Sequence, residues 1–359
     1  MSFLLSDDLV EFQRSLGKLF LSELPLERIQ KLAEANLTSE ENQQRRRALY
    51  KAAVDLGALA AVVPEDLGGL GLGFISLVAI GEELGRALVP APITEALALG
   101  IVPLLSLKDR NRAQELLERM LAGELATGVP LALSSLSESI WPALSVDIAD
   151  LILSLKLSSS GAPAELFLLD GEAQASASSA AELSETLDLL RPVFKLSSPL
   201  SSYLSLGETT SSLQSILGES NLVLAAELSG IAARVVELTV DYVKTRNQFQ
   251  RPIGSFQAVQ HALADMHVAA EQVRTLVRFA GWCADNDRKQ FPEAILGAVG
   301  LAAKSVPAIV EKSIQLHGGI GFTFEYPLHL FLRRAHSNAQ FMGGAAESFS
   351  SLAESFLAK

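Results

Sequence analysis

Cysteine is all but missing from this chain: Cys283 stands alone among 359 residues. That excludes an intrachain disulfide and a zinc site built on cysteines. Set among Ala, Trp and Val at helical spacing, Cys283 reads as a small buried hydrophobe, and a lone thiol fits a reducing, cytoplasmic setting. Excess positive charge is missing too. Lys and Arg number 29 against 41 Asp and Glu, giving a formal net charge of −12 and a pI near 5.0. The chain therefore offers no basic face to meet nucleic-acid phosphates, although a few local Lys or Arg can still hold one phosphate. No uncharged run is long enough to span a bilayer, and the mean hydropathy of +0.29 comes from Leu and Ala spread through amphipathic segments. The N-terminal segment MSFLLSDDLVEFQRSLGKLF carries Asp7, Asp8 and Glu11 and lacks a basic n-region and a cleavage site.

What is present is a globular composition, 49% apolar and 19% charged, in a chain long enough for two or three domains. Leu9, Phe12, Leu16 and Phe20 recur at spacings of three and four, and residues 44–59 read as a second helix. Pro64 and the glycines of VVPEDLGGLGLG then force a loop, and FISLVAIGEELGRAL is a further helix that stops at Pro90 and Pro92. From about residue 126 short β-like runs appear: TGVPLALS, DIADLILSLKL, AELFLLD and PVFKLSS. The Ala/Ser-rich stretch 173–184 reads as a loop. After about residue 211 the periodicity is cleanest. Leu228, Ile231, Val235, Leu238 and Tyr242 share one stripe, and so do Phe256, Val259, Leu263, Met266, Ala270, Val273, Val277 and Ala280. Such helices must pack on one another. The expected fold class is α+β, mainly α, with an N-terminal helical domain (1–120), a small middle β-barrel or sheet domain (121–210) and a C-terminal four-helix bundle (211–359). Helices, strands, then helices is an order that excludes a doubly wound sheet.

Two segments carry chemistry. In YVKTRNQFQRPIGSFQAVQHALADM (residues 242–266) a helix ends near Arg246, Pro252 and Gly254 break it, and a new helix begins near Ser255, a candidate cap. Arg246 and the free N–H groups of the new helix could hold an anion. An ordinary helix–turn–helix corner with a solvated Arg explains the same residues. In IQLHGGIGFTFEYPLHLFLRRA (residues 314–335), Gly318, Gly319 and Gly321 end a helix and let another backbone or ligand approach closely. His317 reads there as a capping or packing residue, since no second ligand stands at metal spacing.

These segments resemble the C-terminal domain of the acyl-CoA dehydrogenase family. The likeness rests on R-x-Q-F-x-x-P-I-x-x-F-Q-x-V-Q-x-x-L-A-D-M (246–266) and Q-L-H-G-G-I-G-F-T-x-E (315–325). VPEDLGGLG, EELGRALVPAP (82–92) and LDLLRPVF resemble the same family elsewhere in the chain. The resemblance implies a tetramer of homo- or hetero-oligomeric type with another acyl-CoA dehydrogenase subunit, and FAD shared across subunits. It implies cofactor contacts from Arg246, Gln248, Phe249, Phe256 and Gln257, and from Gln315, Leu316, His317, Gly318 and Gly319. It also implies an oxidoreductase of lipid metabolism that α,β-desaturates an acyl-CoA thioester, with an electron-transfer flavoprotein as oxidant. No metal, nucleic acid or membrane enters.

The sequence departs from the family at the catalytic base, which leaves the catalytic residue unknown. Many members carry a Glu seven residues after the Ala of an R-[DR]-A triplet; here that triplet ends at Ala335 and the position is Met342. Others carry it five residues before an Ala-Ala pair; here the pair is Ala225-Ala226 and the position is Ser220. Glu219 is adjacent but turned by about 100° on a helix; Glu227 and Glu325 have no better claim. The family's T-E-P-x-x-G-S-D-like and W-I-T-N-like flavin segments are also missing, with PLALSSLSESIWPAL and LILSLKLSSSG roughly in their places. One subgroup of the family, α2β2 heterotetramers, has a subunit type without the base, and this chain resembles that type. The alternatives are a non-catalytic scaffold that kept the fold and lost flavin, and an oxidase returning electrons to oxygen.

Overall fold

The computed structural model describes residues 5–129, 140–156, 163–197 and 203–357. Seven helices precede the first strand: α1 (Asp7–Glu23), α2 (Leu26–Glu34), α3 (Glu40–Asp55), α4 (Ile75–Arg86), α5 (Ile93–Glu95), α6 (Val102–Leu105) and α7 (Arg110–Leu121). A π-helical stretch, Ala96–Ile101, joins α5 to α6. Ser6 caps α1 by accepting the Leu9 N–H, and Asp7 and Asp8 suit the positive end of its dipole. The helix expected over 44–59 begins earlier, behind Ser39, and ends at Asp55, two residues before Gly57 turns left-handed at φ +91°. Helix α2, not anticipated, starts directly after Pro25, whose fixed φ suits a helix entry.

Two small sheets follow. One has the order β1 (Ala126–Val129), β3 (Leu151–Lys156), β4 (Pro163–Leu169), β7 (Leu204–Ser212); the other has β2 (Ile140–Leu144), β6 (Val193–Ser197), β5 (Glu182–Ser184). β1 and β3 pair parallel, the other neighbours antiparallel. The stretch expected as a loop contains α8 (Gly171–Ser179), capped by Asp170, and then β5. Alanine favours helix strongly, but α8 buries only Ala177, so no apolar stripe announces it. Arg46–Asp147, a buried pair at 2.7 Å, and Arg47–Asp150 fasten the sheets to α3.

The bundle consists of α9 (Leu213–Thr245), α10 (Gln257–Asn286), α11 (Phe291–His317), α12 (Leu328–Phe341) and α13 (Gly344–Leu357). The stripes read from the sequence are its core: Leu228, Ile231, Val235, Met266, Val273, Val277 and Ala280 are buried, and Cys283 with them. Helix α9 lies unusually close to α4. A Cβ on Gly85 would run into the Glu227 carbonyl, and one on Gly230 into the Glu82 carbonyl. Asp285, near the end of α10, accepts the Phe74 and Ile75 N–H groups and so caps α4 from outside. By length and composition α11 could cross a bilayer; here it packs against α9, α10 and α13.

Candidate functional site

At the C-terminal end of α9, Arg246 is the exposed cap residue. A two-residue hairpin follows, β8 (Asn247–Gln248) and β9 (Arg251–Pro252), with Gln248 opposite Arg251. Its turn residues, Phe249 and Gln250, both lie left-handed, at φ +52° and +66°. Such a pair matches strand twist in a tight hairpin but strains residues bearing a Cβ. Phe249 is 86% exposed and meets Phe256 edge-on, with ring centroids 6.1 Å apart. Helix α10 begins at Gln257 behind Phe256, and no side chain caps it; Ser255 donates instead to the Pro252 carbonyl. Its first N–H groups are therefore uncapped by any side chain, and the dipole there favours an anion.

The glycine turn stands at the same end. Tyr242, one turn before Arg246, donates to the His317 carbonyl at 3.1 Å and stacks on its ring at 4.1 Å. Tyr326 closes the other approach at 4.7 Å. His317 is thus buried, its Nδ1 2.8 Å from the Ser313 carbonyl. Burial presses its pKa down and the Ser313 contact opposes that, so the net shift favours the neutral ring. Gln315, Gly318 and Gly319 are exposed, and Leu316 is half-buried. Gly318 has φ +64°, and a Cβ on either Gly318 or Gly319 would meet nothing within 4 Å. Of the other predicted contacts, Arg246, Gln248, Phe249 and Gln257 are exposed like Gln315, Gly318 and Gly319, Phe256 is half-buried like Leu316, and His317 supports the turn from beneath.

The resemblance implies FAD. Unpaired Arg246, the uncapped start of α10, the exposed Phe249 ring and the open glycine turn suit a flat, doubly anionic dinucleotide. They fit its adenosine diphosphate portion. The stretches 130–139 and 157–161, which fall in the places of the family's flavin-ring segments, lie outside the described residues.

The positions of the family's base lie far from this end. Ser220 precedes Arg246 by 26 residues, about 39 Å of helix. Ser220 is buried and donates to the Ala98 carbonyl in the π-helical stretch at 2.6 Å. Met342, the cap of α12, is 7% exposed. Glu219 points elsewhere, pairing with Arg288, whose guanidinium lies 4.8 Å from the Phe74 ring. Burial raises the Glu219 pKa, and Arg288 opposes the shift.

Between the two ends lies an ionic cluster that the sequence did not announce. Arg191 meets Glu95 at 2.7 Å, Glu227 at 3.0 Å and Asn338 at 2.6 Å. Arg334 meets Glu227 at 2.6 Å, and Asp188 as well. All are buried, and together they tie α5, the sheets, α9 and α12. Burial alone would raise the Glu227 pKa, but the two guanidinium groups hold it well below its ordinary value. Two guanidinium groups occupy the Glu227 carboxylate, which leaves it poorly placed to take a substrate proton. Because Tyr326 packs near Tyr242 while Arg334 reaches Glu227, α12 runs antiparallel to α9. Ser220 and Met342 thus stand about 10 and 12 Å beyond this contact, in the same direction. The two alternative base positions share one level, and neither holds a carboxylate.

Comparison with known proteins gives the family. The acyl-CoA dehydrogenase C-terminal domain matches residues 210–353 and the N-terminal domain residues 23–124. Acyl-CoA dehydrogenase IpdE2 of Mycolicibacterium smegmatis is 31% identical over 296 residues, 81% of this chain and 82% of that protein. The ChsE4-ChsE5 complex from Mycobacterium tuberculosis superposes with a TM-score of 0.81 at 21% identity over 100% of both chains. Butyryl-CoA dehydrogenase from Megasphaera elsdenii gives 0.76 at 20%, over 99% of this chain and 100% of that one. With two domain models covering most of its length and a relative matched along four-fifths of both sequences, this chain belongs to the acyl-CoA dehydrogenase family.

Proposed function

We propose that this chain is one subunit of an FAD-linked acyl-CoA dehydrogenase that desaturates an acyl-CoA thioester between its α and β carbons, with the catalytic base supplied by a different subunit. The observation that carries this reading is the pairing of an intact dinucleotide end with base positions occupied by Met342 and a hydrogen-bonded Ser220. When bound, the flavin supplies the hydride acceptor for the β carbon. The partner's carboxylate takes the α proton. This chain's residues act on binding: Arg246 and the start of α10 neutralise phosphate, and Gly318 and Gly319 leave room for the cofactor's approach. The separation of about 39 Å along α9 supports a reading in which this end serves a flavin whose ring lies in another subunit. Two further features are consistent with the reading: one fold neighbour is a complex of two named chains, and another is an electron transferring flavoprotein. A soluble electron-transfer flavoprotein as oxidant and a cytoplasmic, tetrameric setting belong to the same proposal.

The test is the visible spectrum of the chain purified alone and again after co-expression with a second acyl-CoA dehydrogenase-like subunit. Flavin absorbance that appears only in the complex is the expected result. A flavin-saturated, active homo-oligomer would overturn the missing-base reading. Absence of flavin in both preparations would leave the scaffold, the alternative that the missing flavin segments of the middle domain favour.

A further inference from the structure

The hairpin at the end of α9 carries a second cation that the family motif does not single out. In its register Gln248 stands opposite Arg251 and Asn247 opposite Pro252, and the Ile253 N–H donates to the Arg246 carbonyl at 2.9 Å. Side chains alternate along each strand, and directly opposed residues share a face. Arg246, Gln248 and Arg251 therefore project from the same face of the hairpin. Arg246 and Arg251 are diagonal neighbours, a relation that sets Cα atoms about 7–8 Å apart.

Their surroundings differ from those of most arginines here. The buried and half-buried guanidinium groups of Arg46, Arg86, Arg119, Arg191, Arg278 and Arg334 all meet carboxylates. Among the described residues, neither Arg246 nor Arg251 has a carboxylate oxygen within 4.0 Å. Arg251 instead lies 4.0 Å from the centroid of the Phe256 ring, the residue that precedes α10. A cation held over an aromatic face keeps its orientation without losing its charge. Both guanidinium groups are exposed and, among the described residues, carry no carboxylate partner, so they are free to meet an anion of matching charge.

We propose that Arg251 is the second phosphate-binding residue of this end, so that Arg246 and Arg251 together bracket the cofactor's diphosphate and select a dinucleotide over a mononucleotide. The Phe256 ring seats Arg251 at the mouth of α10, and Gln248 between the two cations adds a neutral donor to the same face. The inference rests on the flavin-sharing reading above.

The experiment uses the chain co-purified with its partner subunit, stripped of flavin and titrated with FAD and with FMN by flavin fluorescence. Arg251→Ala should weaken FAD about tenfold or more, as loss of a charge-assisted contact does, and flatten the dependence of affinity on salt. FMN affinity should move much less. Arg251→Lys, which keeps the charge but not the planar fork, should fall between the two. Melting temperatures within error of the parent complex would show that the fold is intact. Unchanged FAD affinity and salt dependence in Arg251→Ala would overturn the role of Arg251 alone. Failure of the parent complex to bind FAD at all would overturn both this inference and the flavin-sharing reading.

Discussion

The two halves of α9 are built on opposite principles. Toward its C-terminus, Arg246 stands exposed beside a strained hairpin, an uncapped helix start and an open glycine turn. Along its N-terminal half, Ser220, Glu227 and Gly230 are sealed against α4, α12, the sheets and the π-helical stretch. At the first end the polar groups face solvent; at the second most are paired, but Glu95 Oε2, Arg334 Nη2 and Asn338 Nδ2 are buried without a hydrogen-bond partner among the described residues. A helix end left open to solvent can leave its polar groups unpaired at little cost. A helix middle buried among three regions has to pair most of its own.

That contrast can be broken most directly at Glu227. Glu227→Ala leaves two buried guanidinium groups without their shared carboxylate, and should lower stability by about 3–5 kcal/mol in denaturant titrations. Gly85→Ala, which drives a methyl into the α9 backbone, should cost about 1–3 kcal/mol by overpacking. At the open end the expectation reverses. Arg246→Ala should leave chain stability within about 0.5 kcal/mol, yet weaken FAD binding by the complex about tenfold.

Two smaller effects sharpen the comparison. Burial under α1 is the main cause that lifts the Glu83 carboxyl from 4.5 to about 7, against the pull of Arg86. The folded state then holds a proton that the unfolded state has released. Stability from this group is full below about 4.5 and falls as pH rises toward 7, by no more than about 1.4 kcal/mol per pH unit. Glu83→Gln should flatten that slope in pH-dependent unfolding. Finally, Glu219→Gln should leave turnover of the two-subunit complex within about twofold, because its carboxylate faces Arg288 rather than a substrate. A loss of several orders of magnitude would restore Glu219 as a base.

The bundle was legible because its helices carry apolar stripes: those from Leu228 to Leu238 and from Met266 to Ala280 lie where periodicity puts them, although α9 is buried on every side from Ala225 to Ala232. Helix α8 was not, since Ala and Ser leave no stripe on a helix that buries one residue. Strand β7 was missed because Gly207, Glu208 and two threonines mask its alternation. At the site, the motif residues were legible by resemblance, while the burial of His317 and the alignment of Arg251 with Arg246 depended on stacking and register. The ionic cluster was invisible: Glu95, Asp188, Arg191, Glu227, Arg334 and Asn338 are scattered over most of the chain.

By itself the sequence determined the helix–strand–helix order, the core stripes, the position of Arg246 at a helix end and the missing carboxylates at 220 and 342. These are local facts, fixed by residue identity and by spacing within one element. Only the tertiary structure decided that Glu227 is locked by two arginines, that Glu219 faces away, and that the two base positions share a level remote from Arg246. Each of those depends on side chains from different elements meeting in space, and no single stretch of sequence carries that information.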